Sequence, residues 1–213
     1  KTSTGDIEGK ILEQMPVTDE MFEAENIVNV IESFKGKQSQ IPPMYSAIKI
    51  NGKKLYEYAR SGKNVEVKPR EIEIFDISLI SVSKEERKIV FKVWCSKGTY
   101  IRSLCEDIAK KLGTVGFMNE LNRIRVGEFK IEQAVKISDI INNNMPGKNL
   151  ISIEDFFNDK EKISFNDTDL FRLLNGVKVD IDREDGIYRA YNKGKFIGVG
   201  IVQKRKIKRD IVI

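Results

Sequence analysis

Hydrophobic and polar residues alternate along residues 89–95, placing Ile89, Phe91, Val93 and Cys95 on one side of Ile-Val-Phe-Lys-Val-Trp-Cys. A period of two marks a half-buried strand. Ser96-Lys97-Gly98-Thr99 then breaks the pattern with a turn, where glycine can take a positive φ. Beyond it the period lengthens: Ile101, Leu104, Cys105, Ile108 and Leu112 recur at helical spacing, and Gly113 supplies a stop. The pattern predicts a strand that passes through a glycine turn into a helix, with Tyr100 and Arg102 two residues apart at the junction. Element ends of this kind hold side chains in fixed positions and often carry function. On the residues alone, Tyr100 also reads as an amphipathic side chain at the core boundary. Arg102 also reads as a solvated charge at a helix start, where the helix dipole disfavours a cation.

The same patterning organises the rest of the chain. Val17-Thr18-Asp19-Glu20 opens a helix, with Thr18 as its cap and Met21, Ile27, Val28 and Ile31 on its apolar side; Phe34-Lys35-Gly36 ends it. Ile41-Pro42-Pro43 must be extended. Ser46–Ile50 is a short strand, Asn51-Gly52 a tight turn, and Leu55–Arg60 one or two helical turns stopped at Gly62. Residues 70–82 and 88–95 form two strands around the charged turn Lys84–Arg87. In Gly116–Gly127 the first half is expected to be helical and the end a strand. Asn142–Gly147 is loop material and the expected linker. Beyond it come a short helix at Leu170–Asn175 stopped by Gly176, strands at Gly186–Tyr191, Phe196–Val202 and Asp210–Ile213, and a basic cluster at Lys204–Arg209 between the last two. Short strands with Asn-Lys-Gly turns suggest a small β-barrel-like module. The fold class expected is α/β of the α+β type, a largely antiparallel mixed sheet followed by that small β domain.

Composition narrows the chemistry. The 213 residues hold no histidine, which excludes a Ser-His or Cys-His nucleophile and any His-ligated zinc within them. The two cysteines, Cys95 and Cys105, fall on a strand and on an apolar helix face and are read as buried free thiols. With no spanning segment and no signal-peptide pattern in the sequence, the default location is the cytoplasm. Net charge is +5, unevenly spread. Between residues 35 and 70, Lys35, Lys37, Lys49, Lys53, Lys54, Arg60, Lys63, Lys68 and Arg70 stand against only Glu57 and Glu66, whereas residues 1–34 are strongly acidic. A directed basic block suits a polyanion. Tyr45, Tyr56 and Tyr58 within it suit unpaired RNA bases, which stack on such rings. A merely solvated lysine-rich face is the alternative reading.

Four stretches, in order, resemble the bacterial TruB family of tRNA pseudouridine synthases. They are Thr2-Ser3-Thr4-Gly5-Asp6-Ile7-Glu8-Gly9; Pro42–Lys49 with Gly52–Arg60; Cys95-Ser96-Lys97-Gly98-Thr99-Tyr100-Ile101-Arg102 through Asp107; and Leu121-Asn122-Arg123. The second and third are the specific ones. The resemblance implies a pseudouridine synthase domain over residues 1–145, with an RNA-gripping segment at about 35–70, and a PUA-like RNA-binding domain over 150–213. It implies isomerisation of the uridine at position 55 in the T loop of tRNA, with neither cofactor nor metal, and the T-arm stem-loop as partner; the sequence gives no reason to expect anything but a monomer. Tyr100 matches the family's pocket tyrosine, Arg102 the arginine that pairs with the catalytic aspartate, and Leu121 an apolar residue against the flipped base. Met44, Tyr45, Lys49, Lys53, Lys54, Arg60 and Arg123 are the expected RNA contacts.

The family's nucleophilic aspartate sits in a Gly-Thr-Leu-Asp-type loop, and no such loop occurs between Lys1 and Ile213. Asp6 matches a stretch downstream of that loop and is not its substitute. The expectation is the larger C-terminal part of a synthase, inactive by itself. The alternatives are a T-arm-binding module without chemistry and an interaction domain with a solvated basic face.

Overall fold

The computed structural model describes residues 1–63, 65–142 and 150–212. They fall into two compact units, Lys1–Ile124 and Arg125–Ile213. The expected linker at Asn142–Gly147, and with it the expected boundary between domains, lies outside the described residues apart from Asn142.

In the first unit, a 3-10 turn at Glu20–Phe22 precedes α1 (Ala24–Glu32). The expected single helix therefore starts later: Glu23 is extended (ψ 131°) and resets the chain before α1 begins, and Thr18 does not cap it. Strand β1 (Gly36–Gln40) follows, then the hairpin of β2 (Lys49–Ile50) and β3 (Lys53–Lys54), then α2 (Leu55–Arg60). At the hairpin, Asn51 (φ 50°) and Gly52 (φ 80°) both lie in the left-handed region, as a tight two-residue turn requires. Strands β4 (Arg70–Ser83) and β5 (Lys88–Cys95) lead into α3 (Ile101–Lys111). The sheet order is β1-β4-β5, antiparallel throughout.

One face of this sheet carries the core. Ile74 and Ile77 from β4 meet Ile27 and Ile31 from α1 and Leu104, Ile108 and Leu112 from α3, with Phe22 beside them. Ile89, Phe91, Val93 and Cys95 pack against that cluster, as their alternation predicted. The opposite face is open, and there Phe75 and Trp94 pair with ring centroids 5.2 Å apart. Residues 116–124 are irregular rather than helical. Their backbone is recruited elsewhere: Met118 bridges Asp6 in a parallel pairing, exchanging bonds with Gly5 and Ile7.

The second unit contains the β6 (Arg125–Val126) and β7 (Phe129–Lys130) hairpin and the short helices α4 (Ile137–Asn142) and α5 (Ile153–Phe156). It continues with β8 (Lys162–Phe165), α6 (Asp167–Leu174), β9 (Val179–Asp180), β10 (Gly186–Asn192), β11 (Lys195–Gln203) and β12 (Lys206–Val212). Five strands form one sheet in the order β8-β10-β11-β12-β9, antiparallel except for β8 beside β10. Asn166 caps α6 through its side chain, which accepts from the Asp169 N–H. The basic cluster is not a loop between strands. Only Lys204 and Arg205 form the turn, and Lys206–Arg209 lie within β12. No helix among the described residues is long and apolar enough to cross a membrane.

Candidate active site

The site is assembled at the start of α3. Tyr100 is its N-cap, extended at φ −94° and ψ 109°, and is half-buried. Arg102 is one residue into the helix, with a side chain 23% exposed. Its guanidinium ties the start of α3 to two segments distant in sequence. Nη1 donates to the Thr4 carbonyl (2.9 Å) and to the Asp6 carboxylate (3.1 Å), while Nη2 donates to the Tyr45 carbonyl (2.8 Å). A guanidinium at a helix start, where the dipole is unfavourable, needs such compensation. Its Nε hydrogen and second Nη2 hydrogen have no protein acceptor among the described residues.

Asp6 is organised as closely as Arg102. Its carboxylate accepts from the Thr4 hydroxyl, from the Glu8 N–H (3.2 Å) and from Arg102. The Thr4 bond, followed by the Arg102 charge and the Glu8 N–H, holds the carboxyl below its ordinary range, although partial burial works against them. Asp6 is thus a committed anion with both oxygens in use. That suits holding Arg102 in place and does not suit attack on a substrate. Glycine at position 5 is required here: φ is +75°, and a Cβ would sit 3.2 Å from the Glu106 carboxylate and 3.4 Å from Arg102.

Tyr45 therefore meets Arg102 through its backbone, and Met44 and Tyr45 are both half-buried in the turn after Pro42-Pro43. The neighbouring Ser46 is 6% exposed, and its hydroxyl has no hydrogen-bond partner among the described residues. Lys49 and Lys53 project from the β2–β3 hairpin into solvent. Lys54 and Arg60 lie against the Tyr56 ring, each 5.4 Å from its centroid, and the Tyr58 hydroxyl donates to the Ile50 carbonyl. Tyr56 and Tyr58, offered by the sequence as stacking platforms, are thus already engaged within the protein. Leu121 and Arg123 are exposed and make no hydrogen bond to Tyr100 or Arg102, although the Asp6–Met118 bridge brings their segment beside the site. Cys105, on the buried side of α3, is a free thiol pushed up to about 12 by burial, which makes it unreactive.

Sequence reasoning missed one participant, Gln40. It is 4% exposed and bonds both backbone groups of Tyr100. Nothing in Gly-Lys-Gln-Ser-Gln announces a buried side chain. The only available signal was its place immediately before the Ile-Pro-Pro segment.

Residues 1–101 match the model of the TruB family pseudouridylate synthase N-terminal domain, and residues 102–153 match the tRNA pseudouridylate synthase B C-terminal domain. The tRNA pseudouridine synthase B of Clostridium tetani is 42% identical over 97% of this chain, which spans 72% of that protein. The protein of the same name from Oceanobacillus iheyensis is 42% identical over 85% of this chain, which spans 61% of it. That from Aquifex aeolicus is 33% identical over 94% of the chain and 69% of the relative. Among solved structures, a chain of a Cbf5-Nop10-Gar1 complex superposes with a TM-score of 0.63, 19% identity, and coverage of 94% of this chain and 64% of that one. At that identity the likeness speaks to the fold alone.

Proposed function

The chain belongs to the TruB pseudouridylate synthase family, and from that premise we propose that it is the RNA-gripping and pocket-supporting part of an enzyme that converts uridine at position 55 of tRNA, in the T loop, to pseudouridine. The target base leaves its stack before any side chain can reach it. An aspartate begins the covalent chemistry, the C1′–N1 glycosidic bond breaks, the uracil turns, and a C1′–C5 bond forms. C5 gives up its proton and N1 takes one up.

The observation that carries this reading is the convergence on Arg102. The segments around Thr4–Asp6, Tyr45 and Tyr100–Arg102 are three of the stretches that resemble the family, and Arg102, within the third, bonds to the other two. Asp6 anchors one edge of the guanidinium. Its free hydrogens suit a second carboxylate, which would be held ionised and aimed by them. No Gly-Thr-Leu-Asp loop occurs in the 213 residues, and Asp6 is fully engaged. The nucleophile is therefore assigned to a part of the complete protein outside this chain. Tyr100 lines the pocket, Leu121 contacts the flipped base, and Met44, Lys49, Lys53, Lys54, Arg60 and Arg123 meet the T arm. Residues 150–213 act as the PUA-like RNA-binding domain.

Release of tritium from a tRNA transcript carrying 5-tritiated uridine tests the proposal, with the complete protein and the 213-residue chain assayed in parallel. Release by the complete protein alone is expected. Release by this chain alone would mean that it contains its own nucleophile. If neither releases tritium but both bind T-arm RNA with steep salt dependence, the chain is a binding module without chemistry.

A further inference from the structure

Gln40 closes β1 opposite Arg70 of β4, yet its side chain points to the start of α3. The Tyr100 N–H donates to its Oε1 (2.8 Å), and its Nε2 donates to the Tyr100 carbonyl (3.1 Å). A carboxamide offers one acceptor and one donor side by side, so a single side chain reproduces the rung that a neighbouring strand would supply. The arrangement is 4% exposed, where an unmade hydrogen bond is costly.

The rung falls at a decisive residue. Tyr100 is the N-cap of α3, and no side-chain cap bonds this helix start. Its carbonyl also receives the Leu104 N–H (3.0 Å), the first bond of the helix. Gln40 therefore fixes the residue whose dihedrals set where α3 begins and how it is phased. The direction of the Tyr100 ring and the position of Arg102, two residues on, follow from that phase. Two further ties run between the same segments: the Ser103 hydroxyl donates to the Ile41 carbonyl (3.1 Å), and Arg102 donates to the Tyr45 carbonyl. Of these ties only the Gln40 pair is both bidentate and buried.

We propose that Gln40 is a positioning residue for the isomerisation, holding Tyr100, and through the first turn of α3 Arg102, at their working positions. The proposal rests on the synthase reading above.

The test uses the complete synthase with substitutions Gln40→Leu, Gln40→Glu and, as a control, Ser103→Ala. Turnover of tRNA transcript is measured with thermal unfolding of each variant. Leucine removes both bonds at similar volume. Glutamate keeps the acceptor for the Tyr100 N–H and loses the donor to its carbonyl. For Gln40→Leu, kcat is expected to fall between roughly tenfold and a hundredfold, as misplacement of a reacting group by about an ångström does. KM for tRNA should stay within about twofold, because the groups that meet RNA are untouched. Gln40→Glu should fall between leucine and the unaltered protein, and Ser103→Ala should keep its kcat. If Gln40→Leu does not fold, Gln40→Glu decides. A folded Gln40 variant with unaltered kcat overturns the proposal, as does a loss expressed wholly in KM. An inactive unaltered protein overturns the synthase reading and this proposal with it, whereas an active one with an undiminished Gln40→Leu variant overturns only this proposal.

Discussion

In the second unit the buried positions are filled by Ile163, Phe165, Leu173, Val202 and Ile207, packed on one sheet. In the first unit an apolar core of the same kind is joined by Thr2, Gln40, Ser46 and Thr114, the buried polar residues of the described structure. Among the described residues the second unit buries no serine, threonine or amide side chain, only the largely apolar Tyr188 and Tyr191, whose hydroxyls donate to the Glu184 carbonyl and the Glu154 carboxylate. The difference separates two ways of specifying a fold. Apolar packing is non-directional and sets stability. Buried polar groups must be matched bond for bond, so they fix geometry at a cost in desolvation. In the first unit Thr2 and Gln40 bond to the backbone of Asp6 and Tyr100, on either side of Arg102, whereas Thr114 bonds to the Pro16 carbonyl and the Ser46 hydroxyl has no partner among the described residues.

The hardest blow to this contrast is Arg102→Ala in the complete protein. Turnover should fall about a thousandfold, comparable to the loss of a key electrostatic donor. Unfolding of the first unit should become easier by only about 1–3 kcal/mol, the cost of leaving partly buried acceptors unpaired. Near-normal turnover in steady-state assays would sink the assignment of function to this polar set. Next in size is Gly198→Ala in β11. Gly198 has φ +139°, and a Cβ would lie 2.0 Å from the Ile211 carbonyl. The second unit should lose about 3 kcal/mol or more, since neither conformation nor space can accommodate the methyl. Circular dichroism melts check this, and an unshifted melt would mean that the sheet yields more readily than packing implies.

A smaller effect comes from pH. The carboxyl of Asp6 is held down by the Thr4 hydroxyl and then by Arg102, so its folded pKa lies below its unfolded one. Such a group stabilises the protein above the unfolded value and loses that contribution as pH falls through the folded value. Denaturant midpoints should therefore drop on acidification below about pH 4, and Asp6→Asn should flatten that part of the profile. Identical profiles would remove Asp6 from the stabilising polar set. Smallest is Lys53→Ala on the exposed hairpin. Stability should stay within about 0.5 kcal/mol. In a salt titration of tRNA binding, the slope of log affinity against log salt should shrink by about one. An unchanged slope would place the RNA-contacting charge elsewhere.

Legibility in the sequence follows the range of the interactions. The strand–turn–helix junction, the Asn51-Gly52 hairpin and the helix ending at Gly176 could be read because alternation, helical spacing and glycine are local signals. Strand β1 could not: Gly-Lys-Gln-Ser-Gln has no apolar alternation, and its place in the sheet comes from backbone pairing with β4. The first half of Gly116–Gly127 reads as helical in isolation, but it is irregular, and Met118 bonds to Gly5 and Ile7 instead. At the site, Tyr100 and Arg102 were found through the family resemblance. The ties that hold them join positions 60 and 96 residues apart, to Gln40 and to Asp6, and no local pattern encodes such pairs.

Trp94 is the single tryptophan of the chain, and it sits 64% exposed beside Phe75 on the open side of the first unit's sheet. The molecule therefore carries its own optical probe. Excited at the red edge of aromatic absorption, it emits from the first unit alone, with the tyrosines of the second unit silent. Emission typical of indole in water would shift to the blue if anything came to cover that side of the sheet, and quenching by small solutes would fall in step. Covering of that face can thus be followed without labels, separately from the circular dichroism of the whole.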